Sequence, residues 1–210
     1  MFSTSTEAKE RAFPGTPDTR FVADLKRDAD RAYDRGDYAR AYRILTKSLV
    51  WRGDKYAQYL LGVMYLNGQG VRADPARGVA WLQLAAERGN PKLMAAYRDA
   101  DERINDGQRA RSNQLFDEFA NEYGDRRVLA RLIRKDSRAL RRATGSRVGA
   151  TDNLPLTIVR LDGSRVPGDQ FYGSIRERMN TRLDYLGGVV ELGEFVLIDD
   201  DEETENSDEE

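Results

Sequence analysis

Apolar residues recur at helical spacing from Thr19 to about Arg142, and Gly-Asp, Asn-Gly and Asn-Pro pairs cut the pattern into segments. The segments predict helices over Phe21–Arg35, Tyr38–Arg52, Tyr56–Leu66, Pro75–Arg88, Pro91–Ile104 and Gln108–Tyr123, with a last one starting at Arg126. From Thr144 the pattern changes. Leu154–Leu161 is β-branched and apolar, Asp162-Gly163 is a hairpin signal, and Val189–Ile198 again reads as a strand. Between them Phe171, Ile175, Met179 and Leu183 recur at steps of four, which predicts a helix over Asp169–Leu186. The two strand-like runs are expected to pair, with that helix over one face, because a lone two-stranded ribbon is marginal.

The segments repeat. Gly53, Gly89 and Gly124 are spaced by 36 and 35 residues and are followed by Asp54, Asn90 and Asp125. The physical expectation is a helix ended by a left-handed glycine, with a side-chain oxygen capping the next helix. Inside the middle unit, Asp74-Pro75 places a cap before proline at the first helical position, where a missing N–H does no harm. The run Ala57-Gln58-Tyr59-Leu60-Leu61-Gly62-Val63-Met64-Tyr65-Leu66-Asn67-Gly68-Gln69-Gly70-Val71, followed by Asp74, Ala80-Trp81, Ala85-Ala86 and Arg88-Gly89-Asn90, resembles the Sel1-like repeat, a relative of the tetratricopeptide repeat. Gly36-Asp37-Tyr38-Ala39-Arg40-Ala41 looks more like a plain tetratricopeptide helix start, and the pair after Asn90 is degenerate. The resemblance implies two to three helix pairs over residues 20–124, and the strand and helix pattern after Thr144 adds a second unit, so the expected fold is mainly α: a short helical-repeat solenoid followed by a small α+β module. The expected organisation is a flexible arm at 1–18, the solenoid at 19–144 with a basic terminal helix at 126–143, the α+β module at 145–198, and a disordered acidic tail at 199–210.

Resemblance to the repeat assigns structural roles to Ala57, Leu61, Gly62, Tyr65, Gly68, Gly70, Asp74, Ala80, Trp81, Ala85, Ala86 and Gly89. Gly68-Gln69-Gly70 is not a dinucleotide loop, since a helix precedes it and position 73 is Ala, so its glycines serve a tight turn. Gly62 reads as a close-packing point and Trp81 as filler of a seam between helices. Tyr56–Leu66 is apolar nearly all round, with Ala57, Leu61 and Met64 on one face and Tyr59 and Leu66 on the other. Such a helix is buried on both sides or lines a groove. In Sel1-like solenoids the first helix of each pair lines the concave face, so the resemblance makes Tyr59 and Leu66 candidate partner contacts.

Composition narrows the chemistry. Among 210 residues there is no Cys and no His, which removes thiolate and imidazole nucleophiles, bases and metal ligands. With 36 acids, carboxylate pairs arise by chance, so no catalytic residue is assigned and no enzyme activity is expected. No metal, cofactor or small-molecule substrate is expected either. The longest uncharged apolar run, Tyr59–Leu66, has eight residues, against about 20 for a membrane span. Neither a basic start nor an apolar stretch opens the chain, so as written it is expected in the cytoplasm; a trimmed or misassigned start would leave the periplasm or cell envelope open.

Charge is laid out in blocks. Residues 126–147 hold nine basic side chains and one acid, Asp136, and residues 199–210 hold nine acids. On a helix, Leu129, Leu132, Ile133, Leu140 and Ala143 make an apolar stripe, and Arg127, Arg131, Arg134, Lys135, Arg138, Arg141 and Arg142 gather opposite it. The leading expectation is an interaction adaptor or regulator that binds a protein or peptide in its groove, as the resemblance implies. The alternative is an anion-binding protein, for nucleic acid or a membrane surface, using Arg127, Arg131, Arg134 and Arg138 under control of the acidic tail.

Overall fold

A computed structural model describes residues 13–15, 19–144, 157–159 and 163–187. Among these residues the chain is mainly helical, with one short two-stranded sheet. The helices are α1 (Arg20–Asp34), α2 (Tyr38–Ile44), α3 (Lys55–Asn67), α4 (Pro75–Ala85), α5 (Pro91–Glu102), α6 (Asp106–Tyr123) and α7 (Asp125–Thr144). The hairpin β1 (Thr157–Val159) and β2 (Arg165–Pro167) follows, and then α8 (Gly168–Tyr185). The α2 segment runs on through a π turn at Leu45–Leu49 and a 3-10 turn at Val50–Arg52, where the sequence predicted one regular helix.

Polar caps set the helix starts, as the punctuation predicts. Thr19, Asp37, Asp54, Asp74, Asn90 and Asn105 each accept a hydrogen bond from a backbone N–H in the first turn of α1 to α6. Gly53 and Gly89 end their helices with φ of 72° and 77°, the left-handed region that favours glycine. Gly124 departs from this expectation, with φ of -65°. α6 passes into α7 across this single residue, and a Cβ there would lie 2.5 Å from the Ala120 carbonyl oxygen. Close backbone approach, not a left-handed turn, accounts for that glycine.

The pairs α1/α2 and α3/α4 pack side by side, and α4 also lies against both α5 and α6. One core, built on Leu45, Leu49, Leu61, Met64 and Leu84, joins α1 to α4 with Leu115 and Phe119 of α6. A second, smaller cluster of Val79, Leu82, Ala100 and Ile104 fills the contact of α4 with α5. In α5 only Ala100 is buried, which is the physical side of the degenerate third pair. On α7, Val128, Leu129 and Ile133 turn inward.

Two expectations change in the C-terminal part and the arm, and a third, the pairing of Leu154–Leu161 with Val189–Ile198, lies partly outside the described residues. β1 is three residues long and pairs antiparallel with β2, Ile158 opposite Val166; the expected partner, Val189–Ile198, lies outside the described residues, as does 199–210. α8 follows β2 directly, but its polar anchor is α7 rather than the sheet. Its buried residues are Gly168, Tyr172, Ile175 and Arg182, so Ile175 alone of the predicted line is buried and the inward face is rotated from Phe171 and Leu183. Finally, Phe13 and Pro14 are packed although the sequence placed 1–18 in a flexible arm. The Phe13 ring meets the Tyr185 ring edge-on at 5.7 Å, and the Pro14 carbonyl accepts from Arg182 Nε at 3.0 Å.

Candidate functional site

The α3–α4 unit is built on mutual glycine contact. A Cβ on Gly62 would lie 2.7 Å from Leu82 Cγ and 3.0 Å from the Gly78 carbonyl oxygen. Gly78 answers, since a Cβ there would lie 2.7 Å from Leu66 Cγ and 3.0 Å from the Gly62 oxygen. Ala57, Leu61, Ala80 and Ala85 are buried beside this crossing, and Ala86 begins the 3-10 turn after α4. In the connecting loop Gly68 and Gly70 have φ of 68° and 72°, and Gln69 between them reaches the preceding pair. It accepts from the Tyr33 hydroxyl at 2.8 Å and donates to the Tyr38 hydroxyl at 3.2 Å. Asp74 caps α4 and pairs with Arg111 of α6 at 2.8 Å. Trp81 is buried and stacks on Phe119 at 4.3 Å, so its seam is the one between α4 and α6. Tyr65 shares a 2.8 Å hydrogen bond with the Tyr42 hydroxyl. Residues 55–90 match the Sel1 repeat. No curated protein and no solved structure matches the chain.

The ends of the Sel1 repeat are tied by charges that the sequence reading missed. Buried Lys55 donates from Nζ to the Leu84 carbonyl at 3.1 Å and Gln58 Oε1 at 3.2 Å, and it pairs with Glu87 at 2.6 Å and Asp125 at 3.1 Å. Arg88 grips Asp125 through Nε and Nη2, both at 2.7 Å, and also donates to the Gly53 carbonyl at 2.8 Å. Glu87 accepts from the Asp125 backbone N–H. Four charges thus satisfy one another where α3 begins, α4 ends and α7 begins. Buried charge is tolerated only when paired in this way. The one sequence signal was Asp125 following the third spaced glycine.

Tyrosines and acids gather where the first helices α1 and α3 meet. Tyr56 keeps 52% of its surface exposed and lies 6.2 Å from Tyr59, ring to ring. Its hydroxyl lies beside Asp30. Burial and the neighbouring Asp34 and Asp54 carboxylates push the Asp30 carboxyl above the usual range. Burial and the charges of Asp30 and Asp34 likewise push the Tyr56 hydroxyl up. Tyr59 and Leu66 are half-buried against the Val79–Leu82 cluster. Leu66 therefore serves the α3–α4–α5 contact, whereas Tyr59 connects that contact to the exposed tyrosine.

The basic side chains of α7 divide into two sets. Arg131 is half-buried, donates to the Trp51 and Glu122 carbonyls, and lies over the Trp51 ring at 5.1 Å. Arg127, Arg134 and Arg138 are exposed. Arg131, Arg134, Lys135, Arg138 and Ala139 line a cleft of about 540 Å³. The sequence shows no aromatic among these cations, but the fold brings Trp51, 43% exposed, beside them. Asp136, the one acid of α7 besides Asp125 at its start, is buried on the other side and pairs with Arg178 and Arg182 of α8. Among the described residues no cluster of three or more acids is placed to hold a metal ion, and no helix is long and apolar enough to cross a membrane.

Proposed function

We propose that the chain is a non-catalytic interaction protein that uses the α1–α3 face around Tyr56 to bind a protein segment carrying a basic side chain. Sel1 repeats generally mediate protein–protein interaction and are typically non-catalytic. The observation that carries the reading is the exposed Tyr56 beside Tyr59, Asp30 and Asp34. Tyrosine offers a large rigid surface at low entropic cost, and its ring attracts a cation. Three carboxylates crowd there, and the neighbouring Lys26 is paired with Asp54 at 2.8 Å. An incoming Arg or Lys would relieve that repulsion. Display of random twelve-residue peptides on the intact protein tests the reading. Selected peptides should be rich in Arg or Lys, and both Tyr56→Ala and the pair Asp30→Asn, Asp34→Asn should weaken them roughly tenfold. Unchanged affinity in these variants would remove the face from consideration.

A second reading, an anionic surface bound by α7, is supported by Trp51 next to the arginine cleft. Binding of single-stranded nucleic acid should then fall linearly with log salt, and Trp51→Ala should weaken it. A flat salt response would reject this reading.

A further inference from the structure

The cleft on α7 has cations and no acid. Among the described residues Arg134, Lys135 and Arg138 form no ion pair, although 36 acids are spread along the chain. Asp136, the acid nearest in sequence, faces away to α8. Burial and the charges of Arg127 and Arg134 disfavour the charge on Arg131, so the cations there are crowded. A protein surface that concentrates like charge around a concavity attracts a polyanion.

The path of the chain supplies one. α8 runs antiparallel to α7: Met179 lies at Ser137 and Arg182 at Asp136, while Tyr185 feels the charges of Asp125 and Arg88. The described chain therefore ends at Gly187, beside the start of α7. From there to Asp199 is twelve residues, enough to span about 40 Å at ~3.3 Å each. The cleft begins six residues into α7 and ends by Arg138, within about 20 Å of Asp125 at ~1.5 Å per residue. Nine acids fall in residues 199–210, immediately beyond that tether.

We propose that this cleft is a binding site for an acidic polypeptide and that its occupant is residues 199–210 of the same chain. Short tethers hold a ligand at an effective concentration on the order of millimolar, so individually weak, exposed pairs suffice. The contact is salt-sensitive, because the Debye length at physiological salt is about 8 Å. The assignment shares its surface with the anion-binding reading but does not depend on it.

Zero-length carbodiimide coupling of the full chain tests the contact, since Lys135 places an amine in the cleft. At low salt Lys135 should join to residues 199–210 within one chain, well above the exposed controls Lys47 and Lys92, and the product should vanish near 1 M salt. A second measurement uses a labelled peptide of residues 199–210 and a full-length variant whose nine tail acids are Asn or Gln. The neutralised chain should bind the peptide at least tenfold tighter than the wild type, and adding Arg134→Ser and Arg138→Ser should abolish the gain. Equal coupling at all three lysines, or equal peptide affinity for the two chains, would overturn the proposal. Vesicles rich in phosphatidylserine that bind wild-type and neutralised chains alike would also overturn it, leaving the cleft to an external anion.

Discussion

At Gly62 a hydrogen atom separates two helices where any other side chain would strike Leu82 and the Gly78 carbonyl. Gly62→Ala should therefore lower stability by about 1–3 kcal/mol, and Gly62→Leu by more. Gly173 is the control: nothing lies within 4 Å of its missing Cβ, so Gly173→Ala should raise the melting temperature through helix propensity alone. Equal effects at the two glycines would remove the close-crossing account. Trp81→Ala should cost about 3–5 kcal/mol, because its ring is buried on Phe119. Chemical denaturation would measure it, and a loss below 1 kcal/mol would contradict a core role. Gly62 and Trp81 were readable because the repeat motif spaces them. Gly78 was not, since its need arises from a helix that crosses it sixteen residues away in sequence.

Among the elements, α8 depends most on one side chain. Asp136 holds Arg178 and the buried Arg182, so Asp136→Ala leaves a guanidinium enclosed without its counter-charge. Breaking such a pair typically costs about 3–5 kcal/mol. Hydrogen exchange should quicken across 168–185 in this variant while α3 and α4 keep their protection; unchanged exchange in α8 would show that apolar contacts alone seat it. Sequence periodicity placed α8 to within a residue at each end but missed its partner. A helix with Arg at an inward position looks polar there, and only the fold brings Asp136 opposite. The same limit hid Lys55 and Glu87, which read as ordinary surface charges until three helix ends converge on them.

For the molecule as a whole, high pH is a stress that reaches the core. Burial and the Tyr65 hydroxyl push Tyr42 up to about 12, and burial with Glu122 pushes Tyr123 equally far. A phenol whose folded value exceeds its ordinary 10.0 lends stability that is fully present below pH 10 and is lost as pH rises toward about 12. Urea unfolding at pH 9 and pH 11.5 should show that loss, and Tyr42→Phe should reduce it. An equal loss in the variant would assign the alkaline weakness elsewhere. At this scale the sequence conveyed the stacking of helix pairs through glycine spacing and caps. It could not convey that α4 touches both α5 and α6, because contact between pairs leaves no fixed interval along the chain.

The clasp at Phe13 has a consequence for how the protein is made. Phe13 lies against Arg88 at 3.6 Å and against Tyr185 at 5.7 Å, so one end of the chain waits for the other. A ribosome delivers α1 to α6 long before residue 185, and those helices can associate as they emerge. The Phe13–Tyr185 contact cannot form until more than 170 residues have been joined, whereas Phe13 can meet Arg88 as soon as α4 is complete. The nascent chain thus passes through a stage in which its repeat stack is assembled while Phe13 and Pro14 still lack Tyr185 and Arg182.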